Sequence, residues 1–98
     1  MPPETSASIA QWAEATFGPA PDLGALQARA VQELAELALA LADGDRAETL
    51  AEAADVAILL HRIAALSGGD LAQAVDAKMA VNRTRVWARS GDGTGRHL

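Results

Sequence analysis

Four carboxylates in this chain arrive as two matched pairs. Glu33 and Glu36 are three residues apart, and so are Glu52 and Asp55. On a helix that spacing puts both members of a pair on one face, with Cβ atoms roughly 5–6 Å apart. The pairs flank the short turn Asp43-Gly44-Asp45. Glu33 and Glu36 precede Asp43 by ten and seven residues, and Glu52 and Asp55 follow Asp45 by seven and ten. Two antiparallel helices joined at that turn would therefore carry the pairs at matching heights, facing one another. Acids so close repel and raise each other's pKa values. A hard divalent cation removes that penalty, and magnesium, which takes oxygen ligands and keeps several waters, suits a phosphate substrate. The plainer alternative is that these acids line a solvated groove, paired with Arg29 or Arg62.

The elements that must hold these side chains are legible from breakers and periodicity. Strong helix formers dominate and β-branched runs are absent. A first helix is expected from about Ser6 to Phe17, closed by Gly18-Pro19 and Pro21. Asp22 caps a second, running to about Ala42, in which Leu23, Leu26, Ala30, Leu34, Leu37 and Leu41 recur at spacings of three and four. A third runs from about Arg46 to Leu66, ended by Ser67-Gly68-Gly69. Because it is apolar almost all round from Leu50 onward, it is expected to be buried. Asp70 caps a fourth, from about Leu71 to Arg89. Short turns between the second, third and fourth helices predict antiparallel neighbours. The fold class is all-α, a small antiparallel bundle of about four helices in a single domain over residues 1–98. Residues 1–21 form the N-terminal helix and linker, 22–89 the helical core and 90–98 a Gly-rich tail read as loop.

Composition narrows the functions available. The chain has 98 residues, half of them hydrophobic but only Trp12, Phe17 and Trp87 aromatic. Cysteine is absent, which removes thiol nucleophiles, disulfides and zinc fingers. The net charge is −5 and the pI about 4.8, so nucleic-acid polymers are not expected partners. No apolar run is long enough to span a membrane, and the N-terminus does not read as a signal peptide, so the expected address is cytoplasmic. Twelve of the thirteen acids precede residue 78, whereas Lys78, Arg83, Arg85, Arg89 and Arg96 are five of the eight bases. An acidic body with a basic end can hold a metal ion and phosphate side by side; equally, the bases can complement a helix dipole. Alanine buries little area per residue, so the core is thin and a homo-oligomer, dimer or tetramer, is expected.

At this point the residues resemble a family. Glu33-x-x-Glu36 followed by Glu52-x-x-Asp55 is similar to the metal signature of MazG-like, all-α nucleoside triphosphate pyrophosphohydrolases. The resemblance extends through Ala54 to Leu60, Gly69-Asp70-Leu71 and Lys78-Met79-x-x-Asn82-Arg83-x-Arg85-x-Trp87. Trp12, Phe17-Gly18-Pro19 and the closing Gly91-Asp92-Gly93-Thr94-Gly95-x-His97 resemble a compact phage and bacterial branch of dATP/dGTP diphosphohydrolase type. The chain departs from the pattern at Gln32, where the family often has a further Glu.

The resemblance implies magnesium-dependent hydrolysis, with manganese as a substitute, of a (deoxy)nucleoside triphosphate to a monophosphate and pyrophosphate. Glu33, Glu36, Glu52 and Asp55 would hold the metal, and Glu33 or Glu36 would orient or deprotonate the attacking water. Lys78 and Arg85 would stabilise charge on the departing pyrophosphate, and Asn82 would bond sugar or phosphate. Trp87 and Trp12 either stack a base or pack in a core or interface. His61 reads as a packed histidine, and His97 as part of the tail. That tail lacks the lysine and following helix of a P-loop. A different reading is a non-catalytic helical oligomerisation or adaptor module. It fits the apolar faces but does not explain two matched acid pairs.

Overall fold

The computed structural model describes residues 2–98. Its four helices begin where a side chain can receive the first free backbone N–H groups. α1 (Ser6–Phe17) opens on a capping box: Ser8 N–H donates to Thr5 Oγ1 at 3.1 Å, and Thr5 N–H donates to Ser8 Oγ at 2.8 Å. α2 (Leu23–Asp43) is capped by Asp22, α3 (Arg46–Leu66) by Asp45 and α4 (Leu71–Thr84) by Asp70, each accepting from the N–H three residues on. Between α2 and α3 the chain reverses at Gly44, whose φ of 69° is left-handed, a conformation that costs glycine little. No helix among the described residues is long and apolar enough to cross a membrane.

α2 and α3 form the main helical hairpin, and α1 lies against α3. The helical architecture matches the expected all-α class, with two corrections. α4 ends at Thr84, not at Arg89, and the tail is not simple loop. Residues Trp87–Arg89 (β1) and Gly95–His97 (β2) form a two-stranded antiparallel ribbon pairing Trp87 with His97, Ala88 with Arg96 and Arg89 with Gly95. The helix stops because side chains take its last carbonyls: Thr84 Oγ1 donates to Val81 O at 2.7 Å, and Trp87 Nε1 donates to Asn82 O at 2.9 Å. Across the ribbon turn, Asp92 Oδ1 accepts from both the N–H and the hydroxyl of Thr94. Those bonds hold the Asp92 carboxyl below its ordinary range.

The core is thin, as alanine content predicts. Ala13, Leu26, Ala30 and Ala40 are its buried apolar residues. The expectation that α3 is a buried helix does not hold: Leu50 is 73% exposed, and the buried residue on α3 is Arg62. Two helices, α1 and α2, cover part of its circumference, and no third element closes the rest. α4 buries no residue and touches α3 only lightly. It is thus a weaker antiparallel neighbour than its short connection predicts.

One polar cluster fastens three helices together. Ser6, at the start of α1, is fully enclosed. Its hydroxyl accepts from Leu71 N–H at 2.8 Å and lies 2.7 Å from His61 Nδ1, to which it can donate its own proton. Its backbone N–H donates to Asp70 Oδ1 at 3.0 Å. Asp70 therefore caps α4 and ties down α1 at once, and these backbone bonds hold its carboxyl below the ordinary range. His61 is a packed histidine, as expected. Replacing Ser6 by Ala leaves the Leu71 N–H without its partner, and is expected to cost about 1–3 kcal/mol. Urea denaturation of S6A against the parent chain measures it.

Candidate functional site

The α2–α3 hairpin brings together three of the four expected ligands. Glu33 on α2 and Glu52 and Asp55 on α3 each offer a carboxylate oxygen, and these atoms lie within 4.8 Å of one another. Glu36 is exposed and stands outside this group. Residues three apart on a helix differ by about 60° around its axis. When Glu33 points across at α3, Glu36 sits toward the edge of the contact.

The electrostatics of the group are those of crowded acids. Glu33 is only 14% exposed in its side chain and pairs with Arg29 at 2.9 Å, while Arg29 also donates to Gln32 Oε1. Glu52 has no such cation. Its carboxyl is pushed up to about 7, first by hydrogen bonding to the Glu48 side chain, then by partial burial and by the charges of Glu48, Asp55 and Glu33. Glu48 is the residue that the sequence reading passes over, although its spacing of four from Glu52 places it on the same face. A proton held between crowded carboxylates marks a place where a cation would be accepted. The all-oxygen donor set suits magnesium or manganese, not a soft metal.

A cavity of about 400 Å³ opens beside the acids. It is lined by Arg29 and Glu33 of α2, by Asp55, Ile58, Leu59 and Arg62 of α3, and by Trp12 and Phe17 of α1. The two aromatic rings meet edge to face, 5.4 Å between centroids. Trp12 is therefore a wall of this cavity and not a core residue.

The other expected substrate contacts belong to a different part of the chain. Lys78 is exposed on α4, and Asn82 is half-buried near its end. Arg85 is the residue after the helix and not a member of its face. The Asn82 Oδ1 atom is buried without a hydrogen-bond partner. Trp87 is occupied locally, bonding Asn82 O and lying tilted against His97, 5.8 Å between ring centroids.

Comparison with known proteins decides what kind of molecule carries this arrangement. A family profile described as dATP/dGTP pyrophosphohydrolase matches residues 5–98. The chain belongs to the dATP/dGTP pyrophosphohydrolase family. The dATP/dGTP diphosphohydrolase of Salmonella phage PMBT28 is 47% identical over 92% of the chain, which spans 29% of that longer protein's length. The dATP/dGTP diphosphohydrolase of Cyanophage S-2L is 39% identical over 97% of the chain and 86% of its own length. Among solved structures, the Cyanophage S-2L MazG-like pyrophosphohydrolase bound to dGDP and three catalytic Mn²⁺ ions per active site superposes with a TM-score of 0.72 at 38% identity. That match covers 95% of this chain and 88% of the other. Family membership in a group of enzymes leaves no support for the non-catalytic adaptor reading.

The raised Glu52 carboxyl makes stability depend on pH. Between pH 4.5 and 7 the folded protein holds a proton at Glu52 that the unfolded chain has released. Stability therefore falls as pH rises through that window. In metal-free buffer the urea midpoint is expected to drop from pH 4.5 to 7.5 more for the parent chain than for E52Q. Adding Mn²⁺ at pH 7.5 should raise the parent's midpoint.

Proposed function

We propose that the protein hydrolyses dATP and dGTP between the α and β phosphates, releasing the deoxynucleoside monophosphate and pyrophosphate, with magnesium or manganese as cofactor. The observation that carries this reading is the convergence of Glu33, Glu52 and Asp55 beside a cavity of nucleoside size in a chain of this family. The relative from Cyanophage S-2L, with dGDP and three Mn²⁺ ions bound, supports it.

Glu33, Glu52 and Asp55 are the residues that would hold divalent metal, with Glu36 joining at the edge. Metal in such a place supplies charge neutralisation for the triphosphate and acidifies water. Glu33 or Glu36 then serves as the base that orients the attacking water. Arg29 pairs with Glu33 at 2.9 Å and fixes the direction of its carboxylate. The water's oxygen bonds to phosphorus as the bridging oxygen leaves with pyrophosphate. Lys78 and Arg85 carry the positive charge that offsets what accumulates on that leaving group. Asn82 offers an orphaned acceptor, which suits a sugar hydroxyl better than an ionised phosphate because only the hydroxyl can donate.

The unit that does this is a homo-oligomer, dimer or tetramer, with its sites near subunit interfaces. A compact monomer of this mass exposes about 5,300 Å², whereas this chain exposes 7268 Å². Its radius of gyration is 15.6 Å, against about 12.6 Å for a compact chain of this length. The excess of about 2,000 Å² is comparable to the surface buried in a stable interface. α4, which packs lightly on its own chain and exposes Val75, Met79 and Val81, is the natural place for it. A second copy there would bring cations to acids that have few of their own.

Two measurements test the reading. With Mn²⁺ or Mg²⁺, chromatography of a dNTP digest should give monophosphate and pyrophosphate; diphosphate and phosphate would overturn the bond assignment. D55N and E33Q should each lower kcat/KM by about a hundredfold or more while circular dichroism keeps its helical signal. Light scattering on the eluting protein should give a mass of two or four chains; a single-chain mass at micromolar concentration would overturn the oligomer.

A further inference from the structure

Arg62 is the one charged side chain that the structure buries, at 8% exposed. Such burial is costly unless the charge is paired. Yet among the described residues Arg62 makes no ion pair: the salt bridge present joins Arg29 to Glu33. It has no hydrogen-bond partner among the described residues either. None of its nitrogens is sealed from solvent without a partner, a condition met by Asn82 Oδ1 alone. The guanidinium therefore keeps an opening, and the opening available to it is the cavity it lines together with Trp12, Phe17, Glu33, Asp55 and Ile58.

Position along α3 says what the guanidinium would meet there. Arg62 lies seven residues, two helical turns, beyond Asp55, which is about 10 Å along the axis. The phosphates must lie at the acidic end, where metal would be held. Ile58 and Leu59 lie between that end and Arg62 along α3, and Trp12 and Phe17 of α1 line the same cavity. A nucleotide laid with its phosphates at Asp55 and its base along Ile58 and Leu59 brings the far edge of that base to Arg62. A guanidinium is a rigid fork of N–H donors. Of the two purines, guanine answers it with two acceptors, N7 and O6, whereas adenine offers N7 and a clashing N6 amino donor.

We propose that Arg62 is a specificity-determining residue that reads the N7/O6 edge of guanine in the base subsite and makes dGTP the better of the two purine substrates. This rests on the pyrophosphohydrolase reading, and it leaves adenine a weaker substrate held through N7 and the aromatic wall.

The test needs no mutation in its first arm. With the unmodified protein and Mn²⁺, kcat/KM is compared for dGTP, dITP, 7-deaza-dGTP and dATP. dITP keeps N7 and O6 and should stay within about threefold of dGTP. 7-Deaza-dGTP loses N7 and should fall about tenfold, and dATP should fall similarly, as loss of part of a two-point contact predicts. In the second arm, R62K and R62M should each lower the dGTP-to-dATP ratio of kcat/KM about tenfold, a readout that partial misfolding does not move. If 7-deaza-dGTP matches dGTP, or if both variants lower dGTP and dATP in equal proportion, Arg62 does not read the base and the proposal fails. If no triphosphate is hydrolysed, the pyrophosphohydrolase reading fails instead. Calorimetric binding of the same four nucleotides then decides the role of Arg62, with equal affinities for dGTP and 7-deaza-dGTP overturning it.

Discussion

Repulsion between acids on two neighbouring helices is the constraint around which this small protein is arranged. Among the described residues the buried apolar side chains are three alanines and one leucine, which offer little apolar area to offset strain. Even so, Glu33, Glu52 and Asp55 are turned toward one another, with only Arg29 answering them directly. The energetic cost is visible in Glu52, which retains its proton to about neutral pH. Nothing about folding alone asks for this arrangement, since apolar residues at those three positions would pack the hairpin better. Local conflict of this kind is what a functional site imposes on a fold, and it fits the proposed role of these three acids.

How the acids are held follows from elements some distance away. α1 contributes no carboxylate to the group, but it supplies the aromatic wall beside it. Its position depends on the enclosed Ser6, which joins His61 of α3 and the first N–H of α4. The cavity is bounded by α1, α2 and α3, and the placement of α1 against α3 is set at one end by a handful of polar bonds, not by a large apolar core. That is a sensible solution for a chain with four buried apolar residues, because hydrogen bonds carry direction where alanine contacts do not.

Much of this was legible beforehand, and the failures have physical reasons. The caps at Asp22 and Asp70 and the turn Asp43-Gly44-Asp45 are plain in the residues, so three helix starts and the α2–α3 hairpin can be placed closely. Matching heights about that turn brought Glu33, Glu52 and Asp55 together correctly. Glu36 lies outside that group, because height along an axis says nothing of the angle around it. Glu48 was passed over, although one more turn back from Glu52 would have found it. The ribbon is not legible because its first strand, Trp87–Arg89, holds no β-branched residue, and because a bond from Trp87 across to Asn82 helps to end α4, which no local pattern reveals. Arg62 could be seen on an apolar helix, but its lack of a partner is a fact of three dimensions.

The ribbon itself is held to a single alignment by one missing atom. A side chain built at Gly95 would come within 2.6 Å of the Ala88 carbonyl oxygen, which leaves that spot to glycine. Sliding the second strand by one residue in either direction would drive Thr94 or Arg96 into the same gap. Because such a slide also turns every side chain to the opposite side of a strand, Trp87 and His97 can share one face only in the pairing observed. A residue chosen for having nothing to contribute thereby determines which way the final aromatic of the chain looks.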